Sequence, residues 1–273
     1  MKTAKAFAPA NISCIFRLYE AKKPKDKGSL GVGFTLAKGV IVTVEKNNRS
    51  IVKVNGKTKR FKTVIDVLNK LTDEKISVKI KADVPFGCGF GMSGASALAT
   101  AYAVNKLLRL KKSKRELASI AHVSEVENST GRGDVGGQFR GGIMIKTKRS
   151  PLEVERLKIR QKEVYYMVFG EINTKEVINS ASKKLKINKA GDKAMKKIKR
   201  LKKINFEKLI EISRIFSEES GLLWSKKVIN KIKEVEKKGG RASMIMLGES
   251  VFSNIPFEGC KKAMIINKGA RLL

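Results

Sequence analysis

The sequence predicts a mixed α+β fold in two halves. Three observations carry the prediction. β-branched runs alternate with helical spacings in the first half, a Gly-rich loop joins a strand to a helix at residues 85–94, and basic amphipathic stretches fill much of the second half. Ser150-Pro151 marks a boundary that divides the chain into 1–150 and 151–273.

In chain order, Gly39–Val44 and Ser50–Val54 cluster β-branched residues and read as strands, with Asn47-Asn48 as a turn between them. Phe61–Leu71 places Phe61, Val64, Ile65, Leu68 and Leu71 at helical spacing. Lys75–Ala82 alternates as a half-buried strand that enters the Gly-rich loop, and Ala95–Leu110 reads as the helix that leaves it. Ser113 with Glu116 forms a capping box for a helix running to about Asn128. In the second half Val164–Phe169 reads as a strand, and Asn173 with Glu176 as a capped helix start. Three basic helical stretches fill Gly191–Lys238, with breaks at Asn205 and near Gly221, and Gly239-Gly240 ends the last. Ala242–Leu247 and Ala263–Asn267 read as strands.

Lys and Arg number 59 against 25 Asp and Glu, a net charge of +34. The cations run through nearly every segment, and aromatics make up only 6% of the chain, so a stacking platform for nucleic acid is disfavoured. A field this positive draws in small anionic substrates. Cys14, Cys88 and Cys260 are far apart and odd in number, which suits small buried hydrophobes and not a zinc site or a disulfide framework. With one histidine, multi-His metal sites are excluded. The N-terminal residues lack a secretory pattern, and no apolar run approaches the ~20 residues of a membrane span. A cytoplasmic protein is expected.

The strongest chemical signal is the loop from Pro85 to Ala97, with Gly87, Gly89, Gly91 and Gly94 in one short stretch. Glycines let a ligand approach backbone N–H groups, and a helix N-terminus adds unpaired donors and a positive dipole end. Such a loop suits phosphate, and Ser93 at the helix entry can offer a hydroxyl to phosphate or Mg²⁺. A tight turn without a ligand would need fewer glycines. The loop is not a Walker A loop, and no acidic residue follows at the spacing a dinucleotide fold requires.

The second signal is the stretch from Ala121 to Val135. On a helix, His122 and Glu125 share a face, while Glu127 points to the opposite side. The pair suits a buried site or a surface contact of little energy. Phosphoryl transfer needs a metal ligand and a group that orients or deprotonates the acceptor hydroxyl. Asp134, in a Gly-rich loop, offers a second carboxylate, though the same residue type also suits a turn that bonds its own backbone.

The Gly-rich loop resembles the PxxxGLGSSAA signature of GHMP kinases. Phe90 replaces the Leu, Met92 the first Ser and Gly94 the first Ala, while Ser93 and Ala95 keep the second of each. Ala8–Ile12 and Ala242–Gly248 resemble the N- and C-terminal motifs of the superfamily. Residues 121–138, AHVSEVENSTGRGDVGGQ, are similar to the AHxxEVENxTGxGDVxxQ pattern of archaeal pantoate kinases, as are GSLGVG at 28–33 and GGIMIK at 141–146 to their GSxGxG and GGxxxR segments.

The resemblance implies a two-domain GHMP kinase fold: an N-terminal mixed α/β domain over 1–150 with the phosphate loop, and a C-terminal α+β domain over 151–273. It implies ATP and Mg²⁺, and phosphorylation of (R)-pantoate to 4-phosphopantoate on the archaeal route to coenzyme A. By position it assigns Pro85, Gly87, Gly89, Phe90, Gly91, Met92, Ser93, Gly94 and Ala95 to ATP. Ser93 and Glu125 match residues that hold Mg²⁺ and act in catalysis, and Asp134 matches the catalytic carboxylate. Ser29, His122 and Lys146 match residues that hold pantoate. Lys146 stands where the family has Arg, keeping the charge and losing the bidentate fork, with Arg149 three residues on as a second cation. Two rival readings are a GHMP kinase acting on homoserine, shikimate or mevalonate, and a basic nucleic-acid-binding protein, which a salt titration would expose. A homodimer is admitted, though no residue specifies one.

Overall fold

Two long strands form the spine of the computed structural model, which describes residues 2–273. β1 (Thr3–Tyr19) and β2 (Gly28–Lys46) pair antiparallel from Thr3↔Glu45 to Tyr19↔Gly28. The register shifts between Pro9 and Asn11 and again between Ser13 and Ile15. Proline has no N–H to give the ladder, and a bulge re-aims the side chains beside it. The Asn11 N–H leaves the ladder and donates to the carbonyl of Phe90 in the Gly-rich loop at 2.9 Å.

β3 (Ile51–Val54), β4 (Lys57–Thr58), α1 (Lys62–Leu71) and β5 (Ile76–Ala82) follow. Asn47-Asn48 does lead out of β2, but β3 does not pair with β2. It lies parallel to β5, and β5 takes the place beside β2. α2 (Met92–Leu108) starts three residues before the expected Ala95. Its Ala-rich sequence is buried on nearly all sides, as a central helix must be. α3 (Lys114–Glu127) carries the expected capping box: the Ser113 hydroxyl accepts from Glu116 N–H at 3.2 Å, and Glu116 accepts from Ser113 N–H at 2.8 Å. α4 (Asp134–Arg140) is a short helix where the sequence suggested loop. β6 (Ile143–Lys146) pairs with β2, and β7 (Glu155–Arg156) with β6.

The second sheet begins with β8 (Glu163–Glu171). α5 (Thr174–Asn179) follows Asn173 at the N-cap position, whose side chain does not cap the backbone and instead donates to Glu176 at 2.7 Å. α6 (Ala181–Arg200) begins ten residues before the expected Gly191, and α7 (Phe206–Glu219) and α8 (Lys226–Lys237) complete the helical layer. The strand expected over Ala242–Leu247 stops at Met244 (β9, Ala242–Met244). A turn follows, and β10 (Gly248–Ser253) returns antiparallel to β9 and β8. β11 (Lys261–Met264) pairs with β8, and β12 (Arg271–Leu272) rejoins the first sheet against β1.

The result is an eight-stranded and a four-stranded sheet joined by one apolar core. Phe34 of β2 meets Phe206 and Phe252 of the second half edge-on at 5.5 Å, and Phe90 meets Tyr166 at 5.3 Å. This packing sets the Gly-rich loop against the 245–247 turn. Cys14 and Cys88 are buried, Cys260 is partly buried, and all three are free. Among the described residues no helix is long and apolar enough to cross a membrane.

Candidate active site

The Gly-rich loop turns through Gly87, Gly89 and Gly91 at φ of 75°, 87° and 61°, values that favour glycine. Gly91 caps α2 without a side chain. Ala95 N–H makes the first bond back, to the Gly91 carbonyl at 3.1 Å, so the N–H groups of residues 92–94 stand ahead of the helical ladder. Gly87, Gly89, Phe90, Gly91, Met92 and Ser93 line a cleft faced by Thr130–Asp134 and by Met246 and Leu247. Pro85 is exposed outside it, and Gly94 and Ala95 are buried behind it. The loop therefore presents its middle to the cleft and keeps its two ends away. The Ser93 hydroxyl donates to Thr63 at 3.3 Å, and Thr63 in turn meets Thr130 at 3.2 Å.

Behind the cleft wall lies Glu125, fully buried, with neither carboxylate oxygen hydrogen-bonded. It fits because its neighbours lack side chains: a Cβ on Gly94 would come within 2.8 Å of one oxygen, and a Cβ on Gly131 within 2.7 Å of the other. Burial, with Asp134 nearby, pushes the Glu125 carboxyl well above its ordinary range, and Lys146 pulls the other way. Asp134 lines the cleft. Its carboxylate accepts from Asn11 Nδ2 at 2.7 Å and from Ser13 Oγ at 3.5 Å, side chains brought round by the β1 bulges. Burial raises its pKa, while Asn11, Lys146 and Ser13 lower it.

Lys146 is 6% exposed, and its Nζ donates to the Gly133 carbonyl at 3.2 Å. Burial pushes its pKa down to about 8, against the pull of Asp134 and Glu125. It lines a second cavity with Asn11, Ser13, Ser29 and Gly133. Ser13, Phe16, Ser29 and Gly133 border both cavities, so the two are contiguous. Arg149 is exposed, lies over the Tyr19 ring at 5.8 Å and lines neither cavity, so it adds no second cation there.

His122 is buried on the same helix as Glu125, and no ion pair joins the two among the described residues. Its Nε2 lies 2.8 Å from the Lys27 carbonyl. A carbonyl only accepts, so Nε2 carries the proton and Nδ1 is left as an acceptor. Glu127, two residues on, is exposed and pairs with Lys70 at 2.7 Å. Burial, helped by Lys146, holds the His122 pKa down to about 4. The unfolded chain therefore takes up this proton first as pH falls, and stability is lost between about pH 6.5 and 4. His122→Asn should flatten the fall in melting temperature between pH 7 and 4.5. An unchanged pH slope in the variant would show that His122 does not contribute to it.

The structure thus gathers Ser29, Gly87–Ser93, Asp134 and Lys146 around one cleft and sets His122 and Glu125 behind it. Asp134 heads a helix and does not sit in a loop. Sequence reasoning missed Asn11, Ser13, Thr63, Thr130 and Gln138, whose Nε2 donates to the Gly91 carbonyl at 2.7 Å. Asn11 and Gln138 lie inside recognisable motifs. Thr63, on α1 and far from the loop in sequence, carries no local signal.

Residues 59–142 match the family model of the GHMP kinases N terminal domain. The chain is 32% identical to the pantoate kinase of Methanocaldococcus jannaschii over 269 residues, 96% of either chain. It is 32% identical to the pantoate kinase of Thermococcus kodakarensis over 276 aligned residues, covering 95% of this chain and 90% of the relative. Among solved structures it matches a phosphotransferase related to the CoA biosynthesis pathway, with TM-score 0.87 and 26% identity over 99% of this chain and 98% of the other.

Proposed function

The chain belongs to the pantoate kinase family of the GHMP kinases, and we propose that its cleft transfers the terminal phosphoryl group of ATP to the 4-hydroxyl of (R)-pantoate, giving 4-phosphopantoate and ADP. One observation carries the reading. A carboxylate, Asp134, stands between a Gly-rich helix entry suited to polyphosphate and a cavity whose buried cation, Lys146, suits an acid.

The acceptor oxygen attacks the γ-phosphorus, and the bond from that phosphorus to the bridging oxygen breaks, its electron pair leaving with ADP. The hydroxyl proton goes to Asp134, which burial makes more basic and which Asn11 holds in place. Lys146 meets the pantoate carboxylate and Ser29 lies beside it, while His122, buried and lining neither cavity, supports the site from behind through its bond to the Lys27 carbonyl. The N–H groups at the start of α2 bind the phosphates.

The residues present fit Mg²⁺. Among them there is no cluster of three or more His, Cys, Asp or Glu side chains. Mg²⁺ needs no such cage, because it binds through one or two carboxylates and the substrate phosphates. Glu125, whose two oxygens lack partners, and Ser93 would hold it, and when bound it neutralises charge on the phosphates. Free thiols agree with a cytoplasmic site of action. The 1–150 and 151–273 halves are read as two domains about this cleft.

The test is ADP release with MgATP and a panel of hydroxy acids and alcohols, with calorimetry for MgATP. Pantoate should turn over best. Turnover of homoserine, shikimate or mevalonate in its place would reassign the acceptor, and no binding of MgATP would end the kinase reading. Ser93→Ala should lower kcat/KM about tenfold or more, the worth of a hydrogen bond to a charged group, with the fold unchanged by thermal melt. Equal kcat/KM would remove Ser93 from the site.

A further inference from the structure

Arg132 lies between α3 and α4, two residues before Asp134, and lines the same cavity as Ser93 and the Gly-rich loop. Its side chain is only 10% exposed, and its Nε is buried with no hydrogen-bond partner. Guanidinium stays charged at every working pH, and a dry, unpaired donor costs free energy. The fold carries that cost at the wall of a cleft suited to polyphosphate, and the mechanism above does not use the residue.

Among the described residues Arg132 makes one ion pair, and it is easily given up. Nη1 donates to Glu20 Oε1 at 2.6 Å. Glu20 is exposed and also holds Lys184 at 3.2 Å, with Lys27 at 4.0 Å. Its carboxylate therefore keeps cations when Arg132 leaves, and solvent at the exposed Glu20 end screens the pair. A bidentate bond from Arg to phosphate is stronger and has the right planar geometry.

We propose that Arg132 is a catalytic residue, leaving Glu20 when nucleotide binds and donating two N–H bonds to the equatorial oxygens of the phosphoryl group in transit. The proposal rests on the kinase reading above. It adds no proton transfer: the new P–O bond to the acceptor and the broken P–O bond to ADP are as described, and Arg132 stabilises the charge spread between them. The Lys146 cavity does not include Arg132, which points to the phosphoryl group and not to the carboxylate of the acceptor.

The test compares the parent with Arg132→Met and Arg132→Lys, using MgATP and pantoate. Arg132→Met should lower kcat by about 10³-fold, the scale of arginines that act on phosphoryl transfer, with neither KM changing by more than about threefold. Added guanidinium ion should restore part of the lost rate. In calorimetry, aluminium fluoride should tighten MgADP binding to the parent and not to the variant. A parent-like kcat in Arg132→Met, or a rise confined to the KM for pantoate, overturns the proposal. If Arg132→Met does not fold, Arg132→Lys decides, since it keeps charge and loses the fork: a parent-like kcat overturns the proposal. If the parent ignores pantoate, the acceptor reading fails and the fluoride comparison still decides Arg132. If the parent binds no MgATP, both fall.

Discussion

Replacing Glu125 with Gln is expected to lower kcat by about 10²-fold or more while raising the melting temperature of the ligand-free protein by a few degrees. The two effects share one cause. A carboxyl group without a hydrogen-bond partner, enclosed by Gly94 and Gly131, burdens the fold as pH rises because burial disfavours its charged form. The same two free oxygens make it available to a cation. Gln keeps the shape and drops the charge. The folded-state pKa of Glu125 is raised, so its contribution to stability is present at low pH and is lost as pH rises through that value. The gain in melting temperature should therefore be larger at pH 8 than at pH 5. Glu127→Gln is the control: it removes an exposed pair with Lys70, worth under about 1 kcal/mol, and should leave both rate and stability near the parent. Steady-state kinetics and thermal melts check all of this. A larger rate loss in Glu127→Gln than in Glu125→Gln would refute the assignment.

Lys146→Met should raise the KM for pantoate about 10- to 100-fold, the worth of a buried charge-assisted hydrogen bond, and should leave the KM for ATP within about threefold. Nζ is almost wholly buried, leans on the Gly133 carbonyl and borders the Ser29 cavity away from the Gly-rich loop. The acid needs its charge, and the nucleotide does not. Lys146→Arg should retain or improve activity, since guanidinium offers two parallel donors. The pH dependence separates them further. Lys146 loses its proton near pH 8, so the parent's KM for pantoate should climb above that pH, while Arg stays charged and its KM should not. Equal shifts in both KM values for Lys146→Met would dismiss Lys146 from the acceptor site. Turnover of homoserine or shikimate in place of pantoate would make the chain a GHMP kinase of another specificity.

What the sequence by itself determined is local. Ser113 and Glu116 cap α3 because the two residues lie one helical turn apart. Glu125 and Glu127 point to opposite sides of α3 because a helix has a fixed period. The Gly-rich loop is legible because positive φ and a helix entry are short-range matters. Only the tertiary structure decided the rest. The sequence did not mark β1 as a strand, with Pro9 in its middle, and its two bulges deliver Asn11 and Ser13 to Asp134, more than a hundred residues on. β3 joins β5 and not β2, Asp134 heads a helix, Thr63 reaches Ser93, and Arg132 reaches Glu20. The physical reason is that capping, helix phase and turn chemistry are decided within a few residues. Strand partners, the burial of an unpaired carboxylate and the close approach that Gly94 and Gly131 permit depend on which distant surfaces pack together, and no short window contains both sides of such a contact.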